Sequence, residues 1–298
     1  MPTLTIRGVI PPMITPFTPE GAVDLAAHAA NVQRWNEAGL GGYLVLGSNS
    51  EAVYLNEREK LQLIECTCNN AASGHLILAG TGMESTRETI HLTREAAGAG
   101  AHAALIITPS FYQEQMKDDA QIRHFQAIAD ASPIPVLMYN VTKYTGINLS
   151  PRAVGILSEH PNIIGMKDSS GSIPQLVQYQ KAAADGFNIL VGTASAWYPA
   201  LTLGVTGAVM ALANCAPAEC VRVQQWFGQG RAADAEALYR RLFPVNQAVT
   251  ATYGIAGLKY ACALRGYQGG SVRSPLPELS EQQKVEVKEI LREAGLVG

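Results

Sequence analysis

Lys167 closes the apolar run Ile163-Ile164-Gly165-Met166, and no other lysine ends a stretch of this kind. A neutral lysine amine adds to a ketone, and the iminium left when water departs is an electron sink. At the ordinary lysine pKa of about 10.4, roughly one amine in 2,500 is neutral at pH 7. Desolvation inside a barrel mouth raises that share. Asp168 follows directly, so strand alternation points it the other way and it is not expected to pair with Lys167. Tyr139 ends the preceding apolar run, Pro135–Tyr139. Neighbouring strands lie about 4.8 Å apart, so its phenol can reach the amine and pass a proton to or from a substrate oxygen if both face inward. The bland alternatives are a strand-end lysine extending to solvent and a core tyrosine; the pairing of the two favours chemistry.

A third feature, Gly47-Ser48-Asn49-Ser50-Glu51, follows the run Gly42–Leu46 and precedes a helical pattern. A glycine at the turn, exposed backbone N–H groups and the Ser48 hydroxyl would cradle a carboxylate. As a bare pattern it is also an ordinary strand-to-helix loop with a capping Ser or Asn. The six histidines argue against a metal centre. His28, His91 and His124 lie in helical patterns, His75 and His102 precede strands, and His160 precedes Pro161. None ends a strand, so a metal-dependent aldolase or hydrolase is not expected.

The elements that must position these residues are eight short apolar runs: Gly8–Ile14, Gly42–Leu46, Leu76–Gly80, Ala103–Thr108, Pro135–Tyr139, Ile163–Lys167, Asn188–Gly192 and Gly207–Leu212. Near-continuous Val, Ile, Leu and Ala marks parallel strands buried on both faces. Between them, Asp24–Ala38, Asn56–Ala72 and Ser85–Ala97 mix apolar and charged residues at helical spacing, with Asp24 and Ser85 as N-caps. Eight such units close into a (β/α)8 TIM barrel, whose chemistry sits at the C-terminal ends of the strands. A doubly wound sheet is the alternative, but Gly-x-Gly-x-x-Gly does not follow the first run. Helical patterns Pro217–Gly228, Arg231–Thr250, Ile255–Arg265 and Glu281–Ala294 come after the eighth run without intervening strands. The expected division is a catalytic barrel over residues 1–225 and a C-terminal helical extension over 226–298, serving as an oligomer contact or a lid.

The 298 residues are 47% apolar and 16% charged, enough for a large core and too little charge for disorder. A net charge of −3 with no basic run argues against nucleic-acid or anionic-membrane partners. Five cysteines, an odd count without zinc-ribbon spacing, fit a reducing compartment. The first residues lack a leader pattern, and no apolar stretch approaches the roughly 18 residues of a membrane span. A cytoplasmic protein is expected.

Together, Gly47-Ser48-Asn49-Ser50-Glu51, Tyr139-Asn140-Val141, Gly165-Met166-Lys167-Asp168 and Ala213-Asn214 resemble the dihydrodipicolinate synthase / N-acetylneuraminate lyase superfamily. The resemblance runs from about Gly8 to the C-terminus. Within the superfamily, Gly47-Ser48-Asn49, His160–Ser169 and Ala211–Asn214 are most similar to 4-hydroxy-2-oxoglutarate aldolase and 2-keto-3-deoxy sugar acid aldolases. The resemblance implies Lys167 as the Schiff-base lysine and Tyr139 as the proton-transfer residue. It implies Ser48 and Asn49 on the carboxylate of pyruvate, Ser169 toward the distal part of the substrate, and Gly192 beside the imine. It also implies a homotetramer built as a dimer of dimers, without metal or cofactor.

Two positions depart from the synthases of that superfamily. These carry an arginine for the carboxylate of the aldehyde substrate where Val141-Thr142-Lys143-Tyr144-Thr145-Gly146 has Tyr144. A phenol lacks arginine's charged fork. In Thr108-Pro109-Ser110-Phe111-Tyr112, phenylalanine stands where an interface tyrosine is usual, leaving Tyr112 as the nearest phenol. The expected activity is cleavage of a 4-hydroxy-2-oxo acid to pyruvate and an aldehyde, with Ser169, Asn214 or Tyr144 holding the distal group. The alternatives are condensation of pyruvate with aspartate semialdehyde to 4-hydroxy-tetrahydrodipicolinate, a keto-deoxy acid dehydratase, and a non-catalytic barrel that binds keto acids.

Overall fold

The computed structural model describes residues 4–298. Eight parallel strands lie in the order β1-β8-β7-β6-β5-β4-β3-β2, each followed by helix, in a (β/α)8 TIM barrel. The strands are β1 (Gly8–Ile10), β2 (Gly42–Val45), β3 (Leu76–Gly80), β4 (Ala103–Ile107), β5 (Val136–Asn140), β6 (Ile163–Asp168), β7 (Asn188–Val191) and β8 (Gly207–Val209). The first and last strands in chain order, β1 and β8, stop short of the apolar runs that carry them. Pro11 and Pro12 have no N–H to donate, so beyond β1 the pairing continues as the bridge Pro12↔Leu44, with bonds from Leu44 N to Pro11 O (3.0 Å) and from Met13 N to Leu44 O (2.9 Å). Beyond β8, Ala211–Asn214 tightens into a 3-10 turn.

The chain forms two compact units. The first comprises Ile77–Ala208 with the described residues before Gly8. It carries α3 (Thr86–Gly98), α4 (Asp118–Ala131), the short α5 (Thr142–Thr145), α6 (Pro151–Ser158), α7 (Ile173–Ala182) and α8 (Trp197–Thr202). Its core lies between strands and helices: Ile106, Val136, Met138, Ile163 and Met166 pack on Phe125, Val154, Leu157 and Tyr179. The second unit comprises Gly8–Leu76 and Val209–Gly298. It carries α1 (Leu25–Trp35), α2 (Glu57–Asn70), α9 (Pro217–Gly228), α10 (Ala232–Gln247), α11 (Gly254–Leu264) and α12 (Glu281–Glu293). The caps fall where the sequence places them. Asp24 accepts from Ala27 N at 2.9 Å and Ser85 from Glu88 N at 3.4 Å.

The register of β5 on β6 decides which way Lys167 faces. Val136 pairs with Ile163 but Leu137 with Gly165, so Ile164 is an extra residue in β6. Ile163 and Met166 both pack on the helix side although three positions separate them, an odd step that unbroken alternation forbids. After the bulge the pairs run Met138↔Met166, Tyr139↔Lys167 and Asn140↔Asp168. Met138 and Met166 face the helices, so Tyr139 and Lys167 face the barrel interior. Without the extra residue, Lys167 would share the face of Ile163.

Candidate active site

In the first unit, Lys167 and Tyr139 come together as expected. Both are buried, at 3% and 6% exposure, and Lys167 Nζ lies 4.1 Å from the centre of the Tyr139 ring. The amine sits over the ring, a cation–π arrangement. Gly192 leaves the space beside it. A Cβ there would come within 2.9 Å of Lys167 Cε and 1.9 Å of Ser169 Oγ. Gly192 N is fixed by donating to Asp168 O at 2.7 Å. Ser169 follows Lys167 by two and shares its face; its Oγ is buried with no hydrogen-bond partner among the described residues. A buried unpaired hydroxyl costs about 1–3 kcal/mol unless something else takes the bond. A buried amine, a glycine whose missing side chain lets them approach, and a spare hydroxyl thus converge on one spot.

The opposite face of the same strand ends is saturated. The Asp168 carboxylate accepts from Asn140 Nδ2 (2.8 Å), Ser170 Oγ (2.5 Å) and Gln175 Nε2 (3.3 Å). Asn140 also accepts from Leu149 N at 3.0 Å, and its backbone oxygen accepts from Ser169 N at 2.9 Å. Tyr179 donates to Leu149 O at 2.7 Å. Burial, and then the Asp168 charge, raise the Tyr179 phenol well above its ordinary pKa. Asp168 therefore bonds on the helix side, away from the amine. No local sequence pattern announces this network.

Tyr144 and Tyr112 sit nearer solvent. Tyr144 is 56% exposed overall. Even so, burial, and then the Tyr139 phenol, raise its pKa above the ordinary phenol value. Lys143 Nζ lies 5.6 Å over the Tyr144 ring. Phe111 and Tyr112, at 77% and 68% exposure, form an edge-to-face pair with centroids 5.1 Å apart. The Glu84 carboxylate holds this loop by accepting from Ser110 N (2.8 Å) and Phe111 N (2.9 Å).

The second unit holds Ser48, Asn49 and Asn214. Ser48–Ser50 is a 3-10 turn directly after β2, and Asn49 Nδ2 is buried without a partner among the described residues. The expected role of Gly47 in a tight turn is corrected. Gly47 is extended (φ −74°), and the left-handed positions are Leu46 (φ 61°) and Glu51 (φ 55°). Gly47 is small for packing instead, since a Cβ would lie 3.1 Å from Leu44 Cδ2. Asn214 is corrected as well. Its carboxamide accepts from Ile14 N at 3.0 Å and donates to Pro12 O and Ala211 O, both at 3.0 Å. It is wholly buried, ties the end of β1 to the turn after β8, and has both amide protons already bonded within the second unit. Among the described residues no cluster of three or more His, Cys, Asp or Glu is placed to hold a metal ion, and no helix is long and apolar enough to cross a membrane.

The pattern of the dihydrodipicolinate synthetase family matches residues 5–294. The chain is 35% identical over 286 residues, 96% of each protein, to a 4-hydroxy-tetrahydrodipicolinate synthase of Methanothrix thermoacetophila. Among solved structures it is similar to YagE, a prophage protein of that family from E. coli K12 in complex with pyruvate. The TM-score is 0.93 at 29% identity, over 98% of this chain and 100% of that one. The dihydrodipicolinate synthase of Acinetobacter baumannii complexed with pyruvate gives a TM-score of 0.93 at 30% identity, with the same coverage. The superfamily expected from the sequence is therefore upheld. The Methanothrix and Acinetobacter relatives are named for the synthase rather than for 4-hydroxy-2-oxoglutarate aldolase.

Proposed function

Because the chain belongs to the dihydrodipicolinate synthetase family, a family of class I pyruvate-dependent lyases and synthases, we propose that it cleaves a 4-hydroxy-2-oxo acid to pyruvate and an aldehyde. The observation that carries the chemistry is the Lys167 amine buried at 4.1 Å over Tyr139, with Gly192 beside it. Lys167 adds to the C2 ketone and water leaves, forming the iminium. Tyr139, or a water it holds, takes the C4 hydroxyl proton. The C3–C4 bond breaks with its electron pair passing into the enamine, and the aldehyde departs. Protonation at C3 and hydrolysis release pyruvate and return the amine. The unpartnered Ser169 hydroxyl donates to the distal part of the substrate, with the Tyr144 phenol and Tyr112 as further polar groups toward the open side. Ser48 and Asn49 hold the carboxylate. The reaction uses neither metal nor cofactor.

The names of the relatives favour a second reading, condensation of pyruvate with aspartate semialdehyde. Tyr144 speaks against it, since no guanidinium is available there for the semialdehyde carboxylate. Two measurements test the proposal. Borohydride with pyruvate should add one pyruvate-derived group per chain, on the peptide that contains Lys167. Pyruvate release from 4-hydroxy-2-oxoglutarate or a C6 2-keto-3-deoxy acid should outrun condensation with the semialdehyde at matched concentrations. Faster condensation would transfer the assignment to the synthase. We further propose a cytoplasmic homotetramer with a catalytic barrel over 1–225 and a helical extension over 226–298. An active monomer in light scattering would refute the assembly.

A further inference from the structure

Glu51 closes the loop that carries Ser48 and Asn49, and the proposed chemistry gives it no task. It sits in the left-handed region at φ 55°, as does Leu46 at φ 61° on the other side of the loop. Side chains other than glycine are disfavoured there, so the surroundings must hold the loop in place. Two hydroxyls do part of this: Thr15 donates to Ser50 O at 2.8 Å and Ser50 to Met13 O at 2.6 Å. The rest falls on the Glu51 carboxylate. Its Oε1 lies 2.5 Å from Lys259 Nζ on α11, both side chains being almost wholly buried, at 1% and 2% exposure. Its Oε2 accepts from Arg273 N at 2.8 Å.

The cationic partners are themselves pinned. Lys259 donates to Ser271 O at 2.6 Å and lies 4.4 Å over the Phe17 ring. The Arg273 guanidinium donates to both Glu59 oxygens, at 2.7 and 2.8 Å, and to Tyr54 O at 2.9 Å. Every member of this cluster belongs to the second unit. The segment after β8 therefore grips the loop after β2 from both sides.

A buried ion pair gains little for stability over well-packed apolar residues of the same volume. What it does supply is a fixed direction, because Oε2 accepts from the Arg273 N–H while Oε1 faces the Lys259 ammonium. The loop it terminates holds a buried, unpartnered donor, Asn49 Nδ2. We propose that Glu51 and Lys259, braced by Arg273, are positioning residues that hold the Ser48 hydroxyl and Asn49 carboxamide at the spacing that grips the carboxylate of a 2-oxo acid. The inference rests on the reading of this loop as the carboxylate site. It differs from a purely structural role in predicting a selective loss of affinity for the carboxylate while imine formation itself survives.

The test is borohydride trapping with two ketones, pyruvate and hydroxyacetone, the second lacking a carboxylate. Ser48→Ala checks the premise and should raise the half-saturating pyruvate concentration. The double variant Glu51→Gln/Lys259→Met removes both charges and leaves neither ion buried alone. It should raise half-saturating pyruvate by about 10-fold or more, the loss of one charge-assisted hydrogen bond. Trapping by hydroxyacetone should not change, and the circular dichroism spectrum should be that of the parent. Glu51→Gln alone, which keeps the shape but leaves the Lys259 ammonium buried without its anion, should shift pyruvate in the same direction. Lys259→Arg, which keeps the cation, should stay nearer the parent than Lys259→Met. An unchanged pyruvate requirement in both Glu51 variants, with Ser48→Ala raised, overturns the inference and leaves the loop reading intact. Equal losses for pyruvate and hydroxyacetone overturn it too, because the pair would then serve the whole fold. Failure of the parent to trap pyruvate, or no effect of Ser48→Ala, overturns the underlying reading and the inference with it.

Discussion

Gly192→Ala is the most direct probe of the space around the amine. The new methyl carbon would stand 1.9 Å from Ser169 Oγ, 2.9 Å from Lys167 Cε and 3.0 Å from Asp168 O. The three contacts give way differently. Ser169 can rotate its hydroxyl to another rotamer. Asp168 O cannot retreat, since it accepts the Gly192 N–H at 2.7 Å. Carbon atoms pack at about 3.5–4.0 Å, so Lys167 Cε must yield by roughly half an ångström or more. Overpacking of this kind costs about 1–3 kcal/mol of stability, and the fold should survive with a lowered melting temperature. The effect on chemistry should be larger, because a misplacement of about 1 Å in a reacting group costs about 10²-fold. The expected result is a folded protein, by circular dichroism, whose borohydride trapping with pyruvate is about 10²-fold slower. Adding Ser169→Ala should recover some stability but little trapping, since it clears only the hydroxyl. A Gly192→Ala protein that traps pyruvate at the parent rate would refute the reasoning. So would full rescue by Ser169→Ala, which would move the damage from the lysine to the hydroxyl.

Tyr139→Phe should lower kcat for retro-aldol cleavage by about 10²–10⁴-fold while pyruvate is still trapped on Lys167; a near-normal kcat would reduce Tyr139 to packing. Tyr144→Arg should raise kcat/KM for condensation with aspartate semialdehyde by roughly 10–150-fold, the worth of a charged hydrogen bond to its carboxylate, and no gain would show that the distal group is held elsewhere. Burial lowers His28 and His124 from 6.5 to about 4, opposed by a hydrogen bond with the Ile14 backbone and by the Glu84 charge respectively. The unfolded chain then binds more protons than the folded one between those pH values, so stability falls as pH drops from about 6.5 to about 4, by up to about 3 kcal/mol per group. Urea midpoints that stay level across that window would contradict this.

The strand runs and caps were legible because a two-face-buried parallel strand and an N-cap each leave a local signature. Lys167 was legible as the one lysine at such a strand end, and Tyr139 as the phenol one strand away. The inward aim of Lys167 was not legible. It depends on the extra residue Ile164, and a continuous apolar run looks the same with or without a bulge. Gly165 was the available signal, because a glycine inside a strand often marks a bulge or a close approach. Here a Cβ would meet Asn188 O at 2.5 Å. Asn214 was misread because its place at a strand end is shared by residues that touch ligands and residues that close the barrel. Only its hydrogen bonds to Pro12, Ile14 and Ala211 tell the two apart. The Glu51–Lys259 pair joins positions far apart in sequence, and no local pattern announces such a partner.

Strand alternation explains why the chemistry and its supports do not interfere. Tyr139 and Lys167 share one face of β5 and β6, while Asn140 and Asp168 share the other. A carboxylate beside the amine would favour the ammonium form, which cannot attack a ketone. Asp168 is adjacent in sequence yet spends its charge on Asn140, Ser170 and Gln175. Those bonds fix the strand ends from the helix side, and the inner face is left with a ring, a glycine and one spare hydroxyl. Strand alternation thus separates an anion that the fold uses from an amine whose reaction it would suppress, and the one inserted residue decides which of the two faces the interior.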